Sequence, residues 1–322
     1  MRFAPTTEQC DFAASLRELL AAADVPSVAR AWSAGDYAPG RKVWRRLADA
    51  GVTALGTREE YGGLDAHPVD LVLAFEELGR SAMPGPFVES VAVLPALLAG
   101  TSAADQLTGM AAGDVIATVA MPPHVPFALD AAAADLVLAV DGATMRAATI
   151  TGERESMDAT RRLAKVTAGD VIADSVDVAR AFEFGALATA AQILGAGTAL
   201  LDLATSYAKQ RVQFGRPIGE FQAVKHQLAD AMVGLEFARP LLYGAALAVA
   251  TDATTSVRDV SAAKVACTDA AYQASRTALQ VHGAIGYTGE YDLVFWLTKV
   301  RALVSAWGTQ SEHRNRVLEA LR

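Results

Sequence analysis

Residues 181–322 carry four long stretches of helical periodicity in series, and a chain with four such helices joined by short turns is expected to pack as an up-down bundle. The first stretch, Ala181 to Gln210, is rich in alanine. Three more are predicted over Phe221–Thr251, Val257–Gly283 and Asp292–Leu321. Gly185, Gly195 and Gly197 lower the helix propensity of the first stretch. The expected return is a close approach of neighbouring helices. Pro240 lies inside the second helix and is expected to kink it.

The rest of the chain divides in two. Residues 1–112 read as an N-terminal helical domain. Thr6 and Gln9 stand at capping-box spacing, and Leu16, Leu19 and Leu20 recur at helical intervals. Arg41 to Ala50 gives an amphipathic turn with Trp44 and Leu47 on one face. A further helix is predicted from Pro68 to Gly79, and a helical stretch resumes after Pro86 through Leu97. Residues 113–180 change character. Val115–Met121 and Leu136–Val140 are strand-like apolar runs, and Thr149–Thr151 and Leu163–Val166 are weaker candidates. A small β domain is expected there, with residues 181–322 as the C-terminal bundle.

Composition narrows the function classes. The 322 residues suit two or three domains, and 52% hydrophobic residues suffice for a sizeable core. Twenty-eight Lys and Arg against 36 Asp and Glu leave a net charge of −8, which argues against a general nucleic-acid coat. A small anionic ligand needs only a local patch. No run of about 18 uncharged apolar residues with membrane-type flanks is expected, and Glu8, Asp11 and Arg17 make the N-terminus unlike a signal peptide. The two cysteines, Cys10 and Cys267, have no metal or redox spacing and suit a reducing cytoplasm.

Residue types alone assign little chemistry. No Gly-rich phosphate loop joins a strand to a helix, and no His/Cys/Asp/Glu cluster has metal spacing. His282 reads as a hydrogen-bonded structural histidine rather than a base. On this ground alone the chain is a mostly helical enzyme or scaffold subunit with a small β insert.

Four motifs carry a resemblance. They are Tyr207-Ala208-Lys209-Gln210-Arg211-Val212-Gln213-Phe214-Gly215-Arg216-Pro217-Ile218-Gly219-Glu220-Phe221-Gln222, Gln280-Val281-His282-Gly283-Ala284-Ile285-Gly286-Tyr287-Thr288-Gly289-Glu290-Tyr291, and the shorter Glu60-Tyr61-Gly62-Gly63-Leu64 and Glu77-Leu78-Gly79-Arg80. Together they resemble the FAD-dependent acyl-CoA dehydrogenase family. The resemblance implies a mostly α fold: an N-terminal helical domain, a middle β domain and a C-terminal four-helix bundle. In that family the C-terminal domain of one subunit reaches the adenosine and pyrophosphate part of its neighbour's FAD. By match, Arg211, Gln213, Phe214, Gln280 and Gly283 would do so here. A guanidinium pairs well with pyrophosphate oxygens, and a glycine lets backbone approach a cofactor closely. Ala284 stands where the family often has a second glycine.

The departures imply more than the matches. The reaction passes an α-proton to a glutamate and a β-hydride to the flavin. A proton beside a thioester carbonyl is weakly acidic, so a positioned base is needed. One family position for that glutamate falls on Trp307, within Ala306-Trp307-Gly308-Thr309. The other, with its following arginine, falls on Gly185-Ala186. Both lack a base. The segments that hold the flavin ring are also missing: the first reads Ala120-Met121-Pro122-Pro123-His124 and the second has no equivalent. The resemblance therefore implies a short subunit without a base in an α2β2 enzyme, completing the FAD site of a catalytic partner. It implies α,β-dehydrogenation of a bulky acyl-CoA, steroid-derived as in actinobacterial heteromeric enzymes, in the cytoplasm. Two rivals stay open. One is a self-sufficient dehydrogenase with a relocated base, Glu183 before Glu236. The other is a non-enzymatic relative binding an acyl-CoA or a partner.

Overall fold

The computed structural model describes residues 4–288 and 291–322; Gly289 and Glu290 of the second long motif lie outside the described residues. The N-terminal part holds α1 (Thr7–Ala21), α2 (Val25–Ser33), α3 (Ala38–Asp49), α4 (Pro68–Arg80), α5 (Leu94–Leu98) and α6 (Gln106–Ala111). The capping box forms: the Gln9 N–H donates to the Thr6 hydroxyl at 3.3 Å and the Thr6 N–H to the Gln9 side chain at 3.0 Å. Trp44 packs on Phe87 with ring centroids 4.3 Å apart, and both are buried with Leu47 and Phe75. α2 and α6 were not expected as separate helices. The stretch expected after Pro86 begins as one π-helical turn, Val88–Val93, before it becomes α5.

Five strands follow: β1 (Ala117–Ala120), β2 (Ala128–Leu129), β3 (Leu136–Asp141), β4 (Thr144–Arg154) and β5 (Leu163–Ala173). Their order is β1-β3-β4-β5-β2, with β1 and β3 parallel and the other pairs antiparallel. The two weakest sequence candidates lie in the longest strands, each of 11 residues.

The C-terminal part holds α7 (Val178–Gln210), the β6–β7 hairpin (Val212–Gln213 and Arg216–Pro217), α8 (Gln222–Ala250), α9 (Ser256–His282), α10 (Leu293–Leu303) and α11 (Gln310–Ala320). α8 continues on both sides of Pro240. The single helix expected over Asp292–Leu321 is two. Trp307 and Gly308 take positive φ, 54° and 97°, and Thr309 with Glu312 forms a second capping box that starts α11.

The glycines of α7 act as close-contact points. A Cβ on Gly195 would stand 2.0 Å from the Glu76 carbonyl oxygen, and one on Gly79 would stand 2.0 Å from that of Gln192. So α4 and α7 cross backbone to backbone. Gly197 meets Ala271 of α9 in the same way, at 2.8 Å. Residues 184–201 form an uncharged stretch, but one that includes Gln192 and is bounded directly by Glu183 and Asp202; by length and composition α7 and α8 are each long and apolar enough to cross a membrane. For α7 that apolar length is spent inside the fold, where 83% of its most apolar window is buried.

One buried carboxyl gives a pH signature. Asp130 is 1% exposed and accepts a hydrogen bond from the Arg162 N–H at 2.9 Å. Burial pushes its carboxyl up to about 7. The folded protein then holds a proton that the unfolded chain has released above about pH 4. This stabilising contribution is complete below pH 4 and is lost as pH rises through 7. Asp130→Asn keeps the acceptor oxygen and tolerates the local φ of 50°. Denaturant unfolding at pH 5 and pH 8 is expected to move the variant's stability upward relative to wild type by a few kcal/mol, one pKa unit being worth about 1.4 kcal/mol. An unchanged difference between the two pH values would contradict a buried protonated Asp130.

Candidate functional site

Trp307 and Gly185, the two positions where the family resemblance would place a base, come together. Trp307 is 2% exposed, and its indole lies on the bare face of Gly185: a Cβ there would stand 2.3 Å from the ring. A side chain at residue 185 and the present indole exclude each other. The left-handed turn at Trp307 and Gly308 drives the indole inward. Its carbonyl is fixed at 2.9 Å from the His313 Nε2. The buried Lys264 ammonium donates to the Leu303 carbonyl at 3.0 Å, which ties α9 to the end of α10 just before this loop. Burial lowers Lys264 to about 7 and His313 to about 4.

Both relocated-base candidates are ion-paired. Glu183 is 8% exposed and paired with Arg316. Burial raises its carboxyl, and the Arg316 guanidinium opposes that shift. Glu236 is a surface residue paired with Arg239 at 3.6 Å. Glu183→Gln is expected to leave the assembled enzyme's turnover within about threefold while lowering its thermal midpoint, because truncating one side of a buried pair strands the other charge. A loss of several hundredfold in turnover would make Glu183 the base after all.

Sequence reasoning missed Glu89. It lies in the π-helical turn, is 2% exposed, and its Oε1 accepts a hydrogen bond from the Trp307 Nε1–H at 3.2 Å. Burial raises its carboxyl; Arg161 nearby works the other way. The available signal was a lone carboxylate in the apolar run 88–98. Glu89 and Trp307 line a cleft of about 560 Å³ between the β-sheet loops and α10. His124 of the altered Pro122-Pro123-His124 segment lines it too, held to Glu312 at 3.1 Å.

The cofactor-binding candidates assemble at the far ends of α7 and α9. Arg211 caps α7 and is exposed. Val212 pairs with Pro217 and Gln213 with Arg216, leaving Phe214 and Gly215 as a two-residue loop with φ of 52° and 80°. That is the pattern of a type I′ hairpin. A phenylalanine at positive φ is costly, and this one is 91% exposed. Its aromatic surface is therefore presented, not packed. Gln280 and Gly283 belong to the end of α9. Gly283 has φ 64° and ψ −140°, open only to glycine, and nothing lies within 4 Å of where its Cβ would stand. The hairpin root and the end of α9 are joined by a stack of Tyr207 on His282, centroids 4.4 Å apart. His282 is structural: it is buried and its Nδ1 bonds the Ala278 carbonyl at 2.8 Å. An exposed guanidinium, an open glycine backbone and a presented ring suit the adenosine and pyrophosphate half of FAD. None of these five residues lines the 560 Å³ cleft.

Comparison with known proteins agrees at the level of fold and family. Residues 6–114 match the acyl-CoA dehydrogenase N-terminal domain and residues 175–322 the acyl-CoA dehydrogenase C-terminal domain. The chain is 33% identical to acyl-CoA dehydrogenase IpdE2 of Mycolicibacterium smegmatis over 91% of this chain and 92% of that protein. It is 34% identical to IpdE2 of Mycobacterium tuberculosis over 83% of each. Among solved structures, the ChsE4-ChsE5 complex from Mycobacterium tuberculosis superposes with a TM-score of 0.84 at 22% identity, over 100% of this chain and 99% of that one. The Tcur3481-Tcur3483 steroid ACAD G363A variant does so with a TM-score of 0.86 at 22% identity, over 98% and 97%.

Proposed function

The chain belongs to the acyl-CoA dehydrogenase family, FAD-dependent oxidoreductases that act on acyl-CoA, and from that premise we propose that it is the subunit lacking the base in a heteromeric dehydrogenase, completing the FAD site of a catalytic partner. The observation that carries this reading is the Trp307 indole seated on Gly185. It fills both base positions with groups that accept no proton, while the Arg211–Phe214 hairpin stays open at the surface. The division into residues 1–112, 113–180 and 181–322 belongs to the same reading.

In that assembly Arg211 faces the pyrophosphate, Gln213 and Gln280 offer amide hydrogen bonds, Phe214 covers the adenosine side, and Gly283 admits the backbone. FAD, when bound, supplies the acceptor for the β-hydride. The α-proton goes to a carboxylate of the partner. A surface for the partner is available on α8, where Val233, Phe237 and Leu241 recur at four-residue spacing and are 47%, 75% and 49% exposed. Such a stripe favours burial against another chain. A partner subunit and a steroid-derived acyl-CoA are supported by the names of the relatives: ChsE4-ChsE5 is a complex and the Tcur3481-Tcur3483 protein is a steroid enzyme; an α2β2 arrangement and a cytoplasmic site of action belong to the same proposal.

The chain expressed alone is expected to carry little flavin, because the ring-holding segments are absent from 113–180. The visible absorbance of the purified chain, alone and with its partner, tests this. Stoichiometric flavin on the isolated chain would favour a self-sufficient enzyme.

A further inference from the structure

The turn between α10 and α11, residues 304–309, is held from three sides by buried side chains. Its positive φ at Trp307 and Gly308 aims the indole at Gly185. From the π-helical turn, Glu89 accepts the indole N–H at 3.2 Å. From α11, His313 holds the Trp307 carbonyl at 2.9 Å. The other ring nitrogen fixes the tautomer. Arg316 Nη1 donates to the Ser261 oxygen at 3.1 Å, which leaves the Ser261 hydrogen for the His313 Nδ1, also at 3.1 Å. His313 is therefore neutral, and its Nε2–H faces the Trp307 carbonyl. From α9, Lys264 reaches the Leu303 carbonyl at 3.0 Å, the Thr268 hydroxyl at 3.4 Å and the Val304 carbonyl at 3.5 Å.

Lys264 is the contact that a proton can change. It is 1% exposed, and every oxygen that it reaches is neutral. It enters none of the ion pairs found among the described residues, whereas Lys299 of α10, equally buried, is paired with Asp158 at 3.3 Å. The surrounding charges supply no anion. Arg161, in the 158–162 loop, disfavours a second positive charge. Arg301 of α10 lies over the Tyr272 ring. Cys267, one turn along α9, is a thiol that burial pushes up. Beyond it, Glu76 of α4 is paired with Arg239 of α8. Arg316 of α11 is paired with Glu183 of α7, and Arg314 with Asp269. A buried ammonium without an anion is costly and gives up its proton readily. The amine that remains keeps two N–H donors, enough for the Leu303 carbonyl and the Thr268 hydroxyl.

In the closed turn, burial holds Lys264 at about 7. In an opened turn, water restores the ordinary value of about 10.4. The opened turn then binds a proton that the closed turn does not. Closure is favoured by up to about tenfold per pH unit as pH rises from 7 toward 10, and is weakest below 7.

We propose that the 304–309 turn is an acid-released latch with Lys264 as its proton sensor: proton uptake by Lys264 frees the turn and lifts the Trp307 indole off Gly185, and proton loss seats it again. The latch uses no flavin and no partner residue, so it stands or falls apart from the shared-cofactor reading.

Hydrogen–deuterium exchange of the full chain tests it, read by mass spectrometry at pH 6.5 and 8.5 and corrected for the intrinsic pH dependence of exchange. Protection of the 303–309 segment is expected to be about 25-fold higher at pH 8.5, out of the roughly 100-fold that two pH units allow. The α3 segment is expected to change by less than about threefold, having no such group. Lys264→Met keeps the length of the side chain and binds no proton, so its protection is expected to be high and equal at the two pH values within about threefold. Circular dichroism reports folding, and Lys264→Gln, with the same expectation, takes its place if Lys264→Met does not fold. His313→Gln loosens a contact that does not titrate in this range. It is expected to lower protection by a similar factor at both pH values and to keep the pH dependence. Equal protection of the wild-type segment at the two pH values overturns the proposal. Higher protection at pH 6.5 overturns it too, since the ammonium would then be capping α10. So does a folded Lys264 variant that keeps the wild-type pH dependence, or a His313→Gln protein that loses it, because the sensor would then be another group.

Discussion

Alanine in place of Gly195 is expected to cost the protein about 3 kcal/mol or more, the upper end of what an inserted methyl does in a packed core. The added carbon would stand 2.0 Å from the Glu76 carbonyl oxygen, which is helix backbone and not the end of a flexible side chain. Relief requires α4 and α7 to separate, and that disturbs everything between them. Gly79→Ala attacks the same crossing from the other side, at 2.0 Å from the Gln192 carbonyl oxygen, and is expected to match it. Once one methyl has spread the helices, the second has less to disturb. The double variant should therefore cost clearly less than the sum. Gly234→Ala on α8 is the control. Its Cβ would meet nothing closer than 3.8 Å, so it should be neutral or gain up to about 1 kcal/mol of helix propensity. Denaturant midpoints of the four variants decide the matter. A Gly195→Ala protein as stable as wild type would mean that the two helices do not cross this closely.

The second large effect is expected at Arg211. Arg211→Ala removes the guanidinium that faces the pyrophosphate in the proposed shared site. A charge-assisted hydrogen bond is worth roughly 1.5–3 kcal/mol, so FAD affinity of the complex should fall about 10- to 100-fold. Assembly should survive, because Arg211 is exposed at the end of α7. Arg211→Lys should recover only part of the loss, since an ammonium cannot make the planar two-pronged contact. Bound flavin in the co-purified complex and an FAD titration of activity measure it. An unchanged titration would make the motif an inherited feature of the fold.

Much of this architecture was legible because helical periodicity is local. The Thr6–Gln9 box, the helix after His67 and the long α7 follow from spacing alone. The break in the last helix was legible too, and was missed: Thr309 and Glu312 stand at capping-box spacing, just after a glycine. The strands at Thr149 and Leu163 read weakly because β4 is largely exposed or half-buried, so alternation is faint. The motif residues Arg211, Gln213, Phe214, Gln280 and Gly283 came from family resemblance, and only the fold could join their two segments through Tyr207 and His282. Glu89 and Arg161 were out of reach. Each is a single charged residue in an ordinary context, and what matters is that the π-helical turn and the 158–162 loop bring them to one cleft. The meeting of Trp307 with Gly185 could not be read either. The two positions are far apart in sequence, and each was judged separately as a missing glutamate.

The most direct test of the shared-site account is the FAD affinity of the catalytic partner as this chain is added. The partner, stripped of flavin, is titrated with FAD alone and then with increasing amounts of the chain, and bound flavin is read from its fluorescence. The account predicts weak retention by the partner alone, and tight retention that saturates when the chain reaches one equivalent of partner. Tight FAD binding by the partner alone, unaffected by the chain, would contradict it.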